Sequence, residues 1–173
     1  SKLINILTHD VERIERLITD YSQILKDEVA LSKEKMKKIN LKLIVVSVVD
    51  DFNNINEAKN GIKIEFIESD NKDEYLINGI ENRIEQIIAN LLDNSISFSE
   101  NNKKIIVKLS QTLNKEIILT IIDEGTGFKE TSTKKIFDRF YSNRPDKFGE
   151  HSGLGLNIVK NLVDLHGATI SAS

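Results

Sequence analysis

The sequence predicts an α+β domain, with helices on one face of a mixed sheet, preceded by a long amphipathic helix. Two observations carry this. Several segments repeat apolar residues at helical spacing, and others alternate apolar with polar residues on either side of a short turn. Helical and extended segments interleave, but neighbouring extended runs read as hairpins, which argues against a doubly wound parallel fold. The 173 residues, 39% apolar and 29% charged, suit one folded domain with a helical appendage. The 26 Ile, 17 Asn and 19 Lys read as a coding bias, so Ile-richness alone is not a strand signal.

The elements follow in order. Ile4, Leu7, Val11, Ile14, Ile18, Tyr21 and Leu25 are spaced alternately by three and four, an uninterrupted heptad seam that asks for a partner helix. Leu17 and Ile24 widen the stripe toward bundle packing, the alternative being one amphipathic helix lying on its own domain. Residues 32–40 are polar and Lys-rich, and read as a hinge. Leu41, Ile44, Val45, Val48, Val49, Phe52 and Ile55 keep helical spacing despite their β-branched composition, so a helix runs to Gly61. Ile62, Ile64 and Phe66 alternate as a strand, a second strand lies near 75–77, and 81–98 returns to helix. Residues 104–109 and 116–123 form a hairpin across Leu113, Asn114 and Lys115. A loop-rich stretch, 124–152, precedes a helix over 154–165 that is closed by His166 and Gly167, with His166 where the helix dipole favours a cation. Residues 168–173 begin a strand.

Composition excludes several function classes. Zero Cys removes thiol nucleophiles, thiolate zinc sites and disulfides, and fits a reducing compartment. No apolar run approaches the ~18 residues of a membrane span, and no leader pattern opens the chain. A net charge of -3 offers no basic field for nucleic acid. The expected setting is soluble and cytoplasmic.

Three short motifs carry chemistry. Gln86, Asn90 and Asn94 stand at i, i+4 and i+8, one strip beside an apolar arc. Amide oxygens in a row are hard neutral ligands, suited to Mg²⁺ already bearing phosphate, although an Asn-rich chain also uses such strips as solvated faces. Asp123-Glu124-Gly125-Thr126-Gly127 follows a strand, placing a carboxylate where backbone can approach a ligand; Asp123 can accept a hydrogen bond from an exocyclic amine of adenine. Gly153, Leu154, Gly155 and Leu156 open an amphipathic helix, where free N–H groups and the dipole favour phosphate. Between the last two lies a long loop with Phe137, Phe140, Tyr141 and Phe148, of the kind that closes on a ligand.

In this order, N-x-x-x-N on a helix, D-x-G-x-G after a strand, IFDRFY and GLGL resemble the N, G1, F and G2 boxes of sensor histidine kinases. The resemblance covers about 41–173 and implies the two-layer α/β sandwich shared by histidine kinase, gyrase and Hsp90 ATP-binding domains. It implies ATP and Mg²⁺ as cofactors: Asn94 and Asn90 at the metal, Asp123 on adenine, Gly125 and Gly127 beneath the base. Gly153, Leu154, Gly155 and Leu156 border the phosphates, Phe137 and Phe140 anchor the loop, and Arg139 and Arg144 contact phosphate or the helical domain. Asn90 and Gln86 are candidates to orient the attacking imidazole.

The family usually carries Lys or Arg where this chain has Ser97, and Lys134, Lys135 or Arg144 could compensate. Residues 1–31 resemble the second helix of the dimerisation hairpin. A phosphoacceptor histidine is then expected upstream, since His9 sits at heptad position f with no following Pro, and the last strand reads as cut short. His151 reads as a loop residue bordering the last Gly motif. A response-regulator receiver domain, the kinase's own hairpin helix and a second copy are the expected partners, with the parent anchored in the inner membrane. Gyrase-type relatives place a Glu base where Asn90 stands, and an amide cannot take a proton from water.

Overall fold

Ile105, Val107 and Leu109 alternate along one strand and are fully buried, while Lys104 and Lys108 on its other face are exposed. That alternation orients the whole sheet. The computed structural model describes residues 11, 14–15, 18–19, 22, 34–69, 74–125, 136–137 and 155–173. In chain order they form β1 (Lys37–Asn40), α1 (Leu41–Asn60), β2 (Lys63–Glu68), β3 (Leu76–Gly79), α2 (Glu81–Phe98), β4 (Lys104–Gln111), β5 (Ile117–Ile122) and α3 (Gly155–Leu165). One sheet has the order β2-β4-β5 and the other pairs β1 with β3. The inner sheet face and the three helices share one core, with Val45, Ile88, Leu92 and Val159 at its centre. The result is a two-layer α+β domain, as predicted.

Two of the three strand pairings differ from the sequence expectation. β4 and β5 form the predicted antiparallel hairpin, Leu109 opposite Leu119. β2 instead lies parallel to β4, Phe66 opposite Val107, and β3 pairs with β1. Residues 37–40, expected in the hinge, therefore form a strand. Their backbone hydrogen-bonds to β3 and Asn40 caps the next helix, so they belong to the folded domain. Residues 168–173, expected to begin a strand, have no ladder partner among the described residues, although Ile170 packs on the core.

The helices start and stop by identifiable chemistry. Asn40 Oδ1 accepts from Lys42 N–H at the start of α1, and from Tyr75 N–H. At the end of α3 the Gly167 N–H donates to Asp164 O and the Ala168 N–H to Val163 O, with Gly167 at φ +65. That is a Schellman ending with Gly at C′, where the sequence puts it. Asn53 clamps α1 to β2: its Nδ2 donates to Ile64 O and its Oδ1 accepts from Ile64 N–H, both at 2.8 Å. Of the N-terminal seam, Val11, Ile14 and Ile18 are helical and more than half exposed. Its other members lie outside the described residues.

Candidate functional site

α2 carries the amide strip. Ile84, Ile87, Ile88, Leu92 and Ser95 are buried against the core, and Gln86, Asn90 and Asn94 lie half-buried at the edge of that arc. Asn90 Nδ2 is buried and, among the described residues, has no hydrogen-bond partner. A buried amide end without a partner costs roughly 1–3 kcal/mol, which a bound group can recover. A half-turn of the amide would put its oxygen in the same place, so the position serves a donor or a metal ligand. Ser97, where the family usually has a cation, turns inward and donates to Asn94 O at 2.8 Å.

The D-x-G turn lies against the far end of the same helix. The Gly125 N–H donates to Asp123 Oδ1 at 2.9 Å, an Asx turn that fixes the carboxylate at the end of β5. A Cβ on Gly125 would stand 3.0 Å from Phe98 O and 3.4 Å from Phe98 Cβ, so only glycine lets the turn sit this close to α2. Asp123 itself is exposed. Phe98, which the sequence did not single out, is thus the α2 residue against which the turn sits.

α3 supplies the third part. His166 at its C-terminus accepts from Ile80 N–H through Nε2 at 3.1 Å, while its Nδ1 meets Leu162 O at 2.7 Å. An acceptor at Nε2 requires the neutral ring with its proton on Nδ1. His166 stands at the helix end as expected, and its ring bridges the C-terminus of α3 to the start of α2. Fixed there, the 11-residue helix, about 16 Å long, packs on α2. At its opening, a Cβ on Gly155 would meet no atom of the described residues within 4 Å. Leu156 beside it is half-buried.

Phe137 is half-buried, and its carbonyl accepts from Asn157 Nδ2 at 3.0 Å; the neighbouring Ile136 is the buried anchor, at 3% exposure. Neither Ile136 nor Asn157 was singled out by sequence, although an isoleucine ahead of an aromatic pair was the available signal. Gly127, Arg139, Phe140, Arg144, Gly153 and Leu154 lie outside the described residues, as do Lys134, Lys135, His9 and His151.

Gln86 has another attachment. Its Oε1 accepts from Arg83 Nη1 at 3.1 Å, and Arg83 is held by Glu34 through Nε to Oε2 at 3.3 Å and Nη2 to Oε1 at 3.2 Å. Among the described residues no three His, Asp or Glu converge on a possible metal position. A divalent cation here would rest on amide oxygens and on oxygens brought by a ligand, which suits Mg²⁺ carrying phosphates.

The family model for the histidine kinase-, DNA gyrase B- and HSP90-like ATPases matches residues 79–173, from the end of β3 through α3 and so across all three site motifs. The chain belongs to this ATPase family. Among relatives, the family member is 34% identical over 178 residues to sensor protein ChvG of Rhizobium meliloti (strain 1021), covering 99% of this chain and 30% of that protein. Histidine kinase ThkA, solved with response regulator TrrA, superposes with a TM-score of 0.66 at 23% identity, over 90% of this chain and 43% of that one. Full-length ShkA, solved with AMPPNP, gives 0.64 at 22% identity over 76% of this chain and 26% of that one. The fold of this ATPase domain is therefore shared with histidine kinases, and the chain spans under a third of the ChvG length.

Proposed function

We propose that this chain is the ATP-binding kinase core of a two-component sensor histidine kinase. It would transfer the ATP γ-phosphoryl group to a histidine upstream of this sequence, for relay to an aspartate of a response regulator. The observation that carries the reading is Asn90, an amide with a buried end unpartnered among the described residues, on a helix that packs against α3 and, at Phe98, against the Asp123 turn. A water-splitting ATPase needs a carboxylate base at such a position, and an amide cannot serve as one.

In this reading Asp123 accepts from the adenine amine, Gly125 keeps the turn low enough for the base to pass, and the opening of α3 directs N–H groups toward phosphate. Asn94 and Asn90 would hold Mg²⁺, which when bound neutralises charge on the phosphates. Asn90 and Gln86 orient the attacking imidazole. The histidine nitrogen forms the N–P bond as the bond from phosphorus to the bridging oxygen breaks and ADP leaves. Positioning, not covalent chemistry by the protein, supplies most of the acceleration. Residues 1–31 are proposed as a hairpin helix, with the ATP-binding unit extending from β1 through 173. The proposed partners are a receiver domain, as with ThkA and TrrA, and a second copy; the proposed location is the cytoplasmic side of a membrane sensor.

The test is to incubate the chain with Mg·ATP and follow nucleotide binding and phosphate release together. Binding without multiple-turnover phosphate release is expected. Sustained hydrolysis would place the chain among the ATPases instead.

A further inference from the structure

Arg83 is buried to 8% exposure on the first turn of α2, and a guanidinium so placed must be paired. Glu34 pairs with it in a two-pronged arrangement, the geometry that lysine cannot reproduce. Glu34 precedes β1, on the segment that leads from the N-terminal helical residues into the domain. Arg83 Nη1 donates to Gln86 Oε1, and Gln86 is the first member of the amide strip. One guanidinium therefore joins the incoming segment to the strip proposed to meet ATP.

We propose that Arg83 is a positioning residue and that Glu34, Arg83 and Gln86 form a latch through which the segment before β1 sets the nucleotide-binding strip. With its oxygen engaged by Arg83, Gln86 is fixed in rotamer and its NH₂ is left to donate to a ligand. When the segment before β1 is drawn away, Glu34 leaves, the guanidinium loses its two-pronged anchor, and the Nη1 bond that fixes the Gln86 rotamer is loosened. Displacement of the incoming helix would thus reach the strip without any contact with the ligand. The inference rests on the ATP-binding reading above.

The experiment is a double-mutant cycle on Mg·ATP affinity by calorimetry, using the whole chain with Glu34→Gln, Gln86→Ala and the double variant. Glu34→Gln keeps an acceptor oxygen and the side-chain size, and thermal unfolding checks that each variant is folded. We expect Glu34→Gln to weaken Mg·ATP about fivefold in the wild-type background, the lower end of ordinary coupling, and to have no effect once Gln86 is Ala. Arg83→Lys, if folded, should reproduce the loss, because lysine cannot hold both partners. An equal effect of Glu34→Gln in both backgrounds, or none in either, overturns the latch. Failure of the unaltered chain to bind Mg·ATP would instead overturn the functional reading beneath it.

Discussion

Asp123 is where nucleotide choice should reside. Its Oδ1 is held by the Gly125 N–H, an interaction that Asn can keep through its own oxygen, so Asp123→Asn removes the charge and leaves the turn. ATP binding should weaken by about 1–3 kcal/mol, the cost of spoiling a charge-assisted hydrogen bond, and GTP should bind poorly to the unaltered chain. Equal calorimetric affinities for ATP and GTP would contradict the assignment. His166 makes a different kind of prediction. His166→Ala leaves the Ile80 N–H without its acceptor, which should cost about 1–3 kcal/mol in denaturant unfolding. A change below about 0.5 kcal/mol, the range of ordinary surface substitutions, would mean that the bridge is idle. The amide strip and the D-x-G turn were legible in sequence because i, i+4 spacing and a Gly pair are local signals. The His166 bridge and the Arg83 latch were not, since each joins residues far apart in the chain.

Among the elements, α1 shows which local signal wins. Its Val- and Ile-rich sequence has strand propensity, yet the apolar residues fall on one helical stripe, and burial of Ile44, Val45, Val48 and Val49 follows the stripe. Periodicity reports which face can be buried, whereas propensity is worth little once packing decides. The same reasoning explains the misses. β1 has four residues, two of them exposed lysines, too short to display alternation. The parallel pairing of β2 with β4 depends on α2 crossing between them, and adjacency in sequence does not reveal it. Asn53 tests the helix–strand joint. Its side chain satisfies both backbone groups of Ile64 as a neighbouring strand would. Asn53→Ala should destabilise the domain by about 1–3 kcal/mol and raise amide exchange at Ile64. Unchanged exchange at Ile64 would show that the clamp carries no load.

For the whole molecule, the described part of the N-terminal seam and the ATP-binding unit make separate demands. Val11, Ile14 and Ile18 are helical and exposed, a row of apolar side chains at heptad spacing that rarely stays bare in water. Ile14→Glu with Ile18→Glu should shift the chain toward monomer in sedimentation velocity, while leaving Mg·ATP binding intact; an unchanged oligomer distribution would mean that the seam is not the contact. The central claim is that the strip on α2, the Asp123 turn and the opening of α3 together form a magnesium-nucleotide site. The most direct measurement is calorimetric titration of Mg·ATP into the chain and into Asn94→Ala. Ala is the better helix former, so the variant should keep its fold while losing a hard oxygen ligand. Saturable binding to the chain, with loss of the magnesium-dependent part in folded Asn94→Ala, is the predicted result; normal Mg·ATP binding by that variant would contradict it.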